Sequence, residues 1–445
     1  MVNLFGYLKP AAHIARLPES EYKKCYRKHR IYNFICIFLG YACFYLLRKN
    51  YTLAMPYLAS MGVSKASMGK VLFAIPLAYG ISKFIMGNLS DRSDARYFIS
   101  TGLIISVIIN LIVGYVPGIA VSFRLMFVML FLNGWAQGMG APPCYRTVAH
   151  WFPASKKGRV MSVWNVSHNI GAAFLGLLAA WVIPTCGLSW RSIFSLPAII
   201  VTAVTVFILI FMRDTPQSVG LPSVEEFESE ESNKQKTVAK DEHELSAKEI
   251  LFKYVLVNKY IWFLALANIF VYFVRYGVLD WAPSYFAEVK NLPISKGGNA
   301  VMIYELAGII GMLLCGYLSD TLFKGNRAIV SILCMLIVGC GIFAYWHSDN
   351  LSVAYAALFL IGTFIYGPVM LVGVQVLDLM PKKAVGTAIG LLGLFGYWGG
   401  NANASVGFGL IVEHFGWSGG FSFMLVTCDL AIIFFALTLG AKKQG

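Results

Sequence analysis

Long apolar stretches, separated by short polar segments, run through the whole chain. Twelve of them are long enough to cross about 30 Å of hydrocarbon as helices. They cover residues 31–52, 68–89, 97–117, 121–143, 158–183, 190–212, 260–286, 297–319, 327–347, 351–377, 384–411 and 418–440. The runs are too long for barrel strands and lack their period-two alternation. The pattern predicts an all-α membrane protein with twelve transmembrane helices.

One segment breaks the pattern. Residues 213–258 hold nine carboxylates between Glu225 and Glu249, and Phe227 is nearly their only aromatic neighbour. Such a composition reads as a solvated linker, with a short amphipathic helix expected near 245–257. On either side the chain repeats itself. Arg275 follows Arg48 by 227 positions, and Gly316-Tyr317-Leu318-Ser319-Asp320 follows Gly87-Asn88-Leu89-Ser90-Asp91 by 229. Lys382-Lys383 follows Lys156-Lys157 by 226. A near-constant offset implies two six-helix bundles, with a site near the midplane between them. The expected organisation is therefore a bundle over 1–212 with a basic tail, a linker over 213–258, and a second bundle over 259–445.

Composition agrees: 58% of residues are hydrophobic, 13% are charged, and the mean hydropathy is +0.67. The net charge of +14 could suggest a nucleic-acid partner, but its placement argues otherwise. Lys9, Arg16, Lys23, Lys24, Arg27, Lys28 and Arg30 precede the first span, and further basic residues follow spans two, four, six, eight, ten and twelve. The positive-inside rule then puts both termini in the cytoplasm, and the partner is the bilayer. About thirty polar, basic residues precede the first apolar run, so no cleavable signal peptide is read. The nine Cys lie mostly within spans without metal-ligand spacing, and neither metal nor cofactor is expected.

Two arginines stand out against this background. Tyr45-Leu46-Leu47-Arg48 and Tyr272-Phe273-Val274-Arg275 place one in each half, with no acid three or four residues away. An ionised side chain at bilayer depth costs roughly 2.5–3.5 kcal/mol on insertion scales and marks function. A guanidinium keeps its charge and grips phosphate or carboxylate bidentately, so the pair predicts an anionic ligand between the halves. Adjacent Lys49 is expected to snorkel to the interface.

Other candidates follow from helical spacing. Tyr41, Tyr45 and Arg48 share one face, as do Tyr79 and Lys83. Lys83, about four residues from the next loop, either snorkels or faces the ligand path. Asn165 and His168 lie within one turn, and histidine titrates near the second ionisation of a phosphate ester. Tyr272 precedes Arg275, while Tyr366 and Tyr397 are Gly-flanked tyrosines in later spans. Asp280 and Glu305 read as gating groups that exchange partners, or as ion pairs with lysines of neighbouring helices. The glycine runs 134–140 and 390–400 lie in apolar spans without a P-loop ending, which points to close helix packing.

Several motifs resemble a known family. Gly87-Asn88-Leu89-Ser90-Asp91-Arg92, followed by Arg96, is similar to the loop signature of the major facilitator superfamily. That likeness implies that Asp91 and Arg92 latch a gate. Lys157-Gly158, then Trp164-Asn165, His168-Asn169 and Gly171, resembles the signature of its organophosphate:phosphate antiporters. Further likeness runs through Leu46–Asn50, Ala54–Tyr57, Tyr79–Gly87, Met212–Gln217, Arg275–Trp281, Tyr366–Met370 and Pro381–Lys383. Lys157, Ala172, Ala141 and Phe44 depart from the pattern and bear on substrate range and packing.

The resemblance implies a secondary antiporter, not an enzyme, in a bacterial cytoplasmic (inner) membrane, working as a monomer by alternating access. It would exchange a small phosphate monoester, glycerol 3-phosphate, for inorganic phosphate. Hexose-phosphate or phosphoglycerate exchange is the alternative. Ile389 and Leu392 stand where hexose-phosphate carriers are expected to have Asp and Lys. A transporter-like membrane sensor of phosphate esters could keep every site residue and stays open.

Overall fold

The computed structural model describes residues 8–91, 93–224, 226–228, 250–380 and 385–441. The chain folds as helices packed into two six-helix bundles. The first bundle contains α1 (Glu19–Leu46), α2 (Asn50–Ser60), α3 (Lys65–Asp91), α4 (Ala95–Tyr115), α5 (Phe123–Gln137), α6 (Ala141–Trp151), α7 (Ala154–Leu177) and α8 (Ser192–Phe211). The second contains α9 (Lys259–Glu288), α10 (Ile294–Thr321), α11 (Arg327–His347), α12 (Leu351–Leu379), α13 (Val385–Leu394) and α14 (Ala402–Ala436).

Among the described residues, nine helical stretches meet a length-and-hydropathy requirement for crossing a membrane. The twelve crossings are recovered when the longest stretch, Ala388–Ala436, is divided at Gly416 and α3 and the α5–α6 pair are added. Gly416 has φ +69, a left-handed backbone that an L side chain disfavours, and it turns the chain between the last two crossings.

Two crossings are broken where the sequence pattern suggested single helices. The first breaks at Leu47–Lys49, between α1 and α2. Broken backbone at membrane depth persists only where its polar groups find partners inside the protein. Here buried amides provide them: Asn133 Nδ2 donates to Leu47 O at 2.8 Å, and Gln137 Nε2 donates to Phe44 O at 3.0 Å. Asn50 Nδ2 donates across to Ile193 O at 2.7 Å. The second break, at Gly138–Gly140, lets α5 and α6 pass against α3 and α1. A Cβ at Gly140 would stand 2.8 Å from the Phe44 ring, and one at Gly138 would meet Ser82.

Asn169 and the crossing of α7 with α10 join the two bundles. A Cβ on Gly176 would lie 2.6 Å from Gly298 O, and one on Gly298 would lie 2.7 Å from Gly176 O. Small residues thus let the backbones approach. Contacts between bundles run from the middle of the molecule to the end away from the N-terminus. There Lys65 pairs with Glu288 at 2.9 Å, Ala66 N donates to Glu413 Oε2 at 2.6 Å, and Trp181 Nε1 donates to Asn299 Oδ1 at 2.9 Å.

At the opposite end the early chain is strapped to the start of the linker. Leu17 N donates to Gly220 O at 2.8 Å and Ile14 N to Gln217 O at 3.1 Å. Buried Asp214 accepts from Ala11 N at 3.2 Å and pairs with Arg146 at 3.0 Å. Tyr26 stacks on Phe227 with centroids 4.3 Å apart. Of the amphipathic helix expected near 245–257, the described part is a π-helical turn over Ile250–Val255.

Candidate functional site

The break after α1 decides where Arg48 goes. With the helix interrupted, its side chain turns into the protein interior, where only 4% of the residue is exposed. Its guanidinium carbon lies 4.5 Å from the ring centroid of Tyr79, 5.3 Å from Tyr45 and 5.7 Å from Tyr397. Aromatic faces attract a cation yet leave its in-plane N–H donors unused. Arg48 Nη2 is buried without a hydrogen-bond partner.

Arg275 lies within the unbroken helix α9 and is equally buried. Its carbon sits 4.3 Å from the Tyr366 ring centroid, 5.0 Å from Tyr276 and 5.8 Å from Tyr272. Arg275 Nη2 donates to Tyr366 Oη at 3.0 Å, while its buried Nε has no partner. No carboxylate forms an ion pair with either arginine among the described residues.

Two aromatic routes link the arginines. Along one, Tyr45 lies 5.0 Å from His168, and His168 lies 6.2 Å from Tyr366. Along the other, Tyr397 lies 4.9 Å from Tyr79 and 5.4 Å from Tyr272. Tyr397 is carried by a π-helical segment, Phe395–Asn401, a geometry that often marks functional positions. Tyr41 stacks on Trp164 at 4.4 Å and meets His168 edge-on at 6.4 Å. The candidates Arg48, Arg275, His168, Tyr41, Tyr45, Tyr79, Tyr272, Tyr366 and Tyr397 therefore surround one place between the bundles.

Lys83 joins them. Its Nζ lies 5.8 Å from the Tyr79 ring centroid and 5.9 Å from Tyr397. Helix α3 continues to Asp91, so Lys83 is eight residues from its end rather than four. Its Nζ thus lies beside the tyrosines while the residue stays exposed. Asn165 is placed at the edge of the group, with Nδ2 3.6 Å from Met312 Sδ across the bundle interface.

The expectation for Lys49 is corrected. It is buried and forms an ion pair with Asp280 of the other bundle, so it does not snorkel. It also stands 4.4 Å from the Tyr276 ring centroid. Among the described residues Glu305 forms no ion pair with a lysine. Its Oε2 accepts from Tyr366 Oη at 2.6 Å and from Asn169 Nδ2 at 2.8 Å. Leu392 is buried and Ile389 is 43% exposed. Helix α3 ends at Asp91, whose side chain lies outside what is described, as does Arg92.

Asn110, Asn133, Gln137 and Tyr276 were missed among the site-supporting residues, and Asn169 was read only as part of the family signature. The signal was available for the first three: an amide in an apolar span needs a partner, and a nearby helix break supplies one. A separate cavity of about 780 Å³ lies at the far end, lined by residues including Lys65, Glu288 and Glu413. Its charges already satisfy one another or the start of α3, unlike the two arginines.

Residues 37–404 match the profile described as Major Facilitator Superfamily. The chain belongs to that superfamily. It is similar to a glycerol-3-phosphate transporter of Bacillus subtilis (strain 168), with 48% identity covering 100% of this chain and 99% of that protein. A glycerol-3-phosphate transporter of Haemophilus influenzae is 42% identical, covering 97% of this chain and 95% of that one. Among solved structures, a bacterial homologue of the human lysosomal transporter Spinster, inward-facing and occupied, superposes with a TM-score of 0.72. At 15% identity over 93% of this chain and 97% of that one, that likeness speaks for the fold alone. The superfamily chain is a multi-pass membrane protein.

Proposed function

We propose that the chain is a secondary antiporter that exchanges glycerol 3-phosphate for inorganic phosphate across a bacterial inner membrane by alternating access. The observation that carries the reading is the pair of buried arginines, one from each bundle, with guanidinium donors left unpaired. A phosphoryl group has the charge and oxygen geometry to bridge them. The two transporter relatives point to the ester. Arg48 and Arg275 grip the phosphoryl oxygens, His168 and Lys83 add positive charge or donors, and Tyr41, Tyr45, Tyr79, Tyr272, Tyr366, Tyr397 and Asn165 contact the ester body.

The same arrangement gives exchange a physical reason. Without an anion, closing the bundles around the site concentrates like charge in a low-dielectric interior. With an anion bound, closure is favourable, and the complex can reopen on either side. Lys49–Asp280 and Glu305 act in gating, together with Asp91 and Arg92. The bundles comprise 1–212 and 259–445, joined by a cytoplasmic linker over 213–258, with both termini cytoplasmic and the monomer as working unit. Among the described residues, inter-bundle contacts hold the two bundles together at the end away from the termini.

The deciding experiment is reconstitution in liposomes loaded with inorganic phosphate. External glycerol 3-phosphate is expected to drive release of labelled internal phosphate, with little release when the outside contains no phosphate compound. Ester binding without exchange would instead favour a sensor.

A further inference from the structure

Arg275 and Glu305 are both buried in the second bundle, yet they do not form a direct ion pair. The hydroxyl of Tyr366 stands between them, accepting from Arg275 Nη2 at 3.0 Å and donating to Glu305 Oε2 at 2.6 Å. The same carboxylate oxygen receives Asn169 Nδ2 at 2.8 Å, from the first bundle. Asn169 Nδ2 also approaches Glu305 O at 3.1 Å, so one amide grips both ends of the acid.

The surroundings are shaped for this arrangement. Gly308 lies one turn after Glu305. A Cβ there would stand 2.5 Å from the Tyr366 ring and 3.0 Å from Asn169 Nδ2. Tyr304, the residue before Glu305, donates to Arg275 O at 3.1 Å and fixes the backbone beside the arginine.

We propose that Asn169 is a positioning residue that, with Tyr366, holds the Glu305 carboxylate off Arg275 and so keeps Arg275 available to the anion. This rests on the two-arginine reading of the site. A carboxylate that lost its Asn169 donor would be drawn to the nearest uncompensated guanidinium, where it competes with phosphate. Because Asn169 belongs to the other bundle, bundle separation at this level withdraws the restraint and favours anion release. Asn169 thus couples the relative position of the bundles to the strength of the arginine grip.

The test is inorganic phosphate binding to the purified full-length protein, measured by calorimetry in detergent. Wild type, Asn169→Ala, Glu305→Gln and the double variant complete a mutant cycle, with Asn169→Ser as a milder substitute and Arg275→Lys as control. Asn169→Ala is expected to weaken phosphate binding about tenfold, and the double variant to bind within about twofold of Glu305→Gln alone. That non-additivity is what a merely structural amide would not produce. Equal losses in the two backgrounds, or no loss with Asn169→Ala, would overturn the proposal while leaving the arginine site intact. Wild-type affinity retained by Arg275→Lys would overturn the site reading and this proposal with it.

Discussion

Lys49 and Asp280 form a buried ion pair between the bundles, one residue after Arg48 and five after Arg275. Each charge is thereby tied by the chain to one of the site arginines. Removing one partner leaves the other charge buried and unpaired, which costs about 3–5 kcal/mol. Asp280→Asn is therefore expected to lower the thermal transition clearly. Lys49→Met with Asp280→Leu should recover much of that loss by removing both charges together. If Asp280→Asn unfolds at the wild-type temperature, the pair contributes nothing in the membrane protein.

Arg48 and Arg275 are expected to tolerate no cationic substitute. Arg48→Lys or Arg275→Lys keeps the charge but loses the planar fork that can bind two phosphoryl oxygens. Each should reduce phosphate exchange in liposomes by at least about tenfold, equivalent to about 1.4 kcal/mol, while the protein still inserts. Near-normal exchange by either variant would remove that arginine from the proposed site.

His168 offers a separate test because its ring touches tyrosines of both bundles, Tyr45 at 5.0 Å and Tyr366 at 6.2 Å. His168→Ala removes both ring nitrogens, whereas His168→Gln keeps one hydrogen-bonding group. Phosphate binding is expected to be weaker in His168→Ala and partly restored in His168→Gln. Wild-type affinity in both variants would remove His168 from the proposed site.

Much of this architecture was legible from spacing. Hydrophobic run lengths located the crossings, and the recurring Tyr-x-x-Arg marked the two arginines that the fold brings to one site. The break at Leu47–Lys49 was not legible, because Leu46 and Leu47 continue the apolar run, and the amides that stabilise the break come from distant α5. Lys49 was misread for a related reason. On a continuous helix a lysine beside Arg48 would point elsewhere, whereas the break delivers it to Asp280, 231 residues away. Glu305 likewise meets Tyr366 and Asn169 only through packing of α7, α10 and α12.

Asp94 supplies a test of stability at the end carrying the early chain. It caps α4, accepting from Arg96 N at 2.8 Å, and burial together with Asp214 raises its carboxyl above the usual aspartate range. A carboxyl with a raised folded-state pKa stabilises the fold while protonated, below its unfolded value near about 3.9. That contribution is lost as pH rises through the folded value. Asp94→Asn preserves a good capping group without this titration. Its thermal transition is expected to gain on wild type as pH increases above about 4. A difference between the two proteins that stays constant with pH would contradict the assignment.

Substrate size provides the last prediction. The proposed site contacts the ester through tyrosine rings packed at centroid distances of 4.9–5.4 Å, among them Tyr79, Tyr397 and Tyr272. A hexose brings several hydroxyls, and each buried without a partner costs about 1–3 kcal/mol. Glycerol 3-phosphate brings two, within the capacity of a few tyrosine hydroxyls. Unlabelled glycerol 3-phosphate is therefore expected to compete with labelled phosphate uptake at least about tenfold better than glucose 6-phosphate, a gap of about 1.4 kcal/mol. Equal or better competition by glucose 6-phosphate would reject glycerol 3-phosphate as the preferred ester. It would not touch the arginine pair, because both esters offer the same phosphoryl group to Arg48 and Arg275.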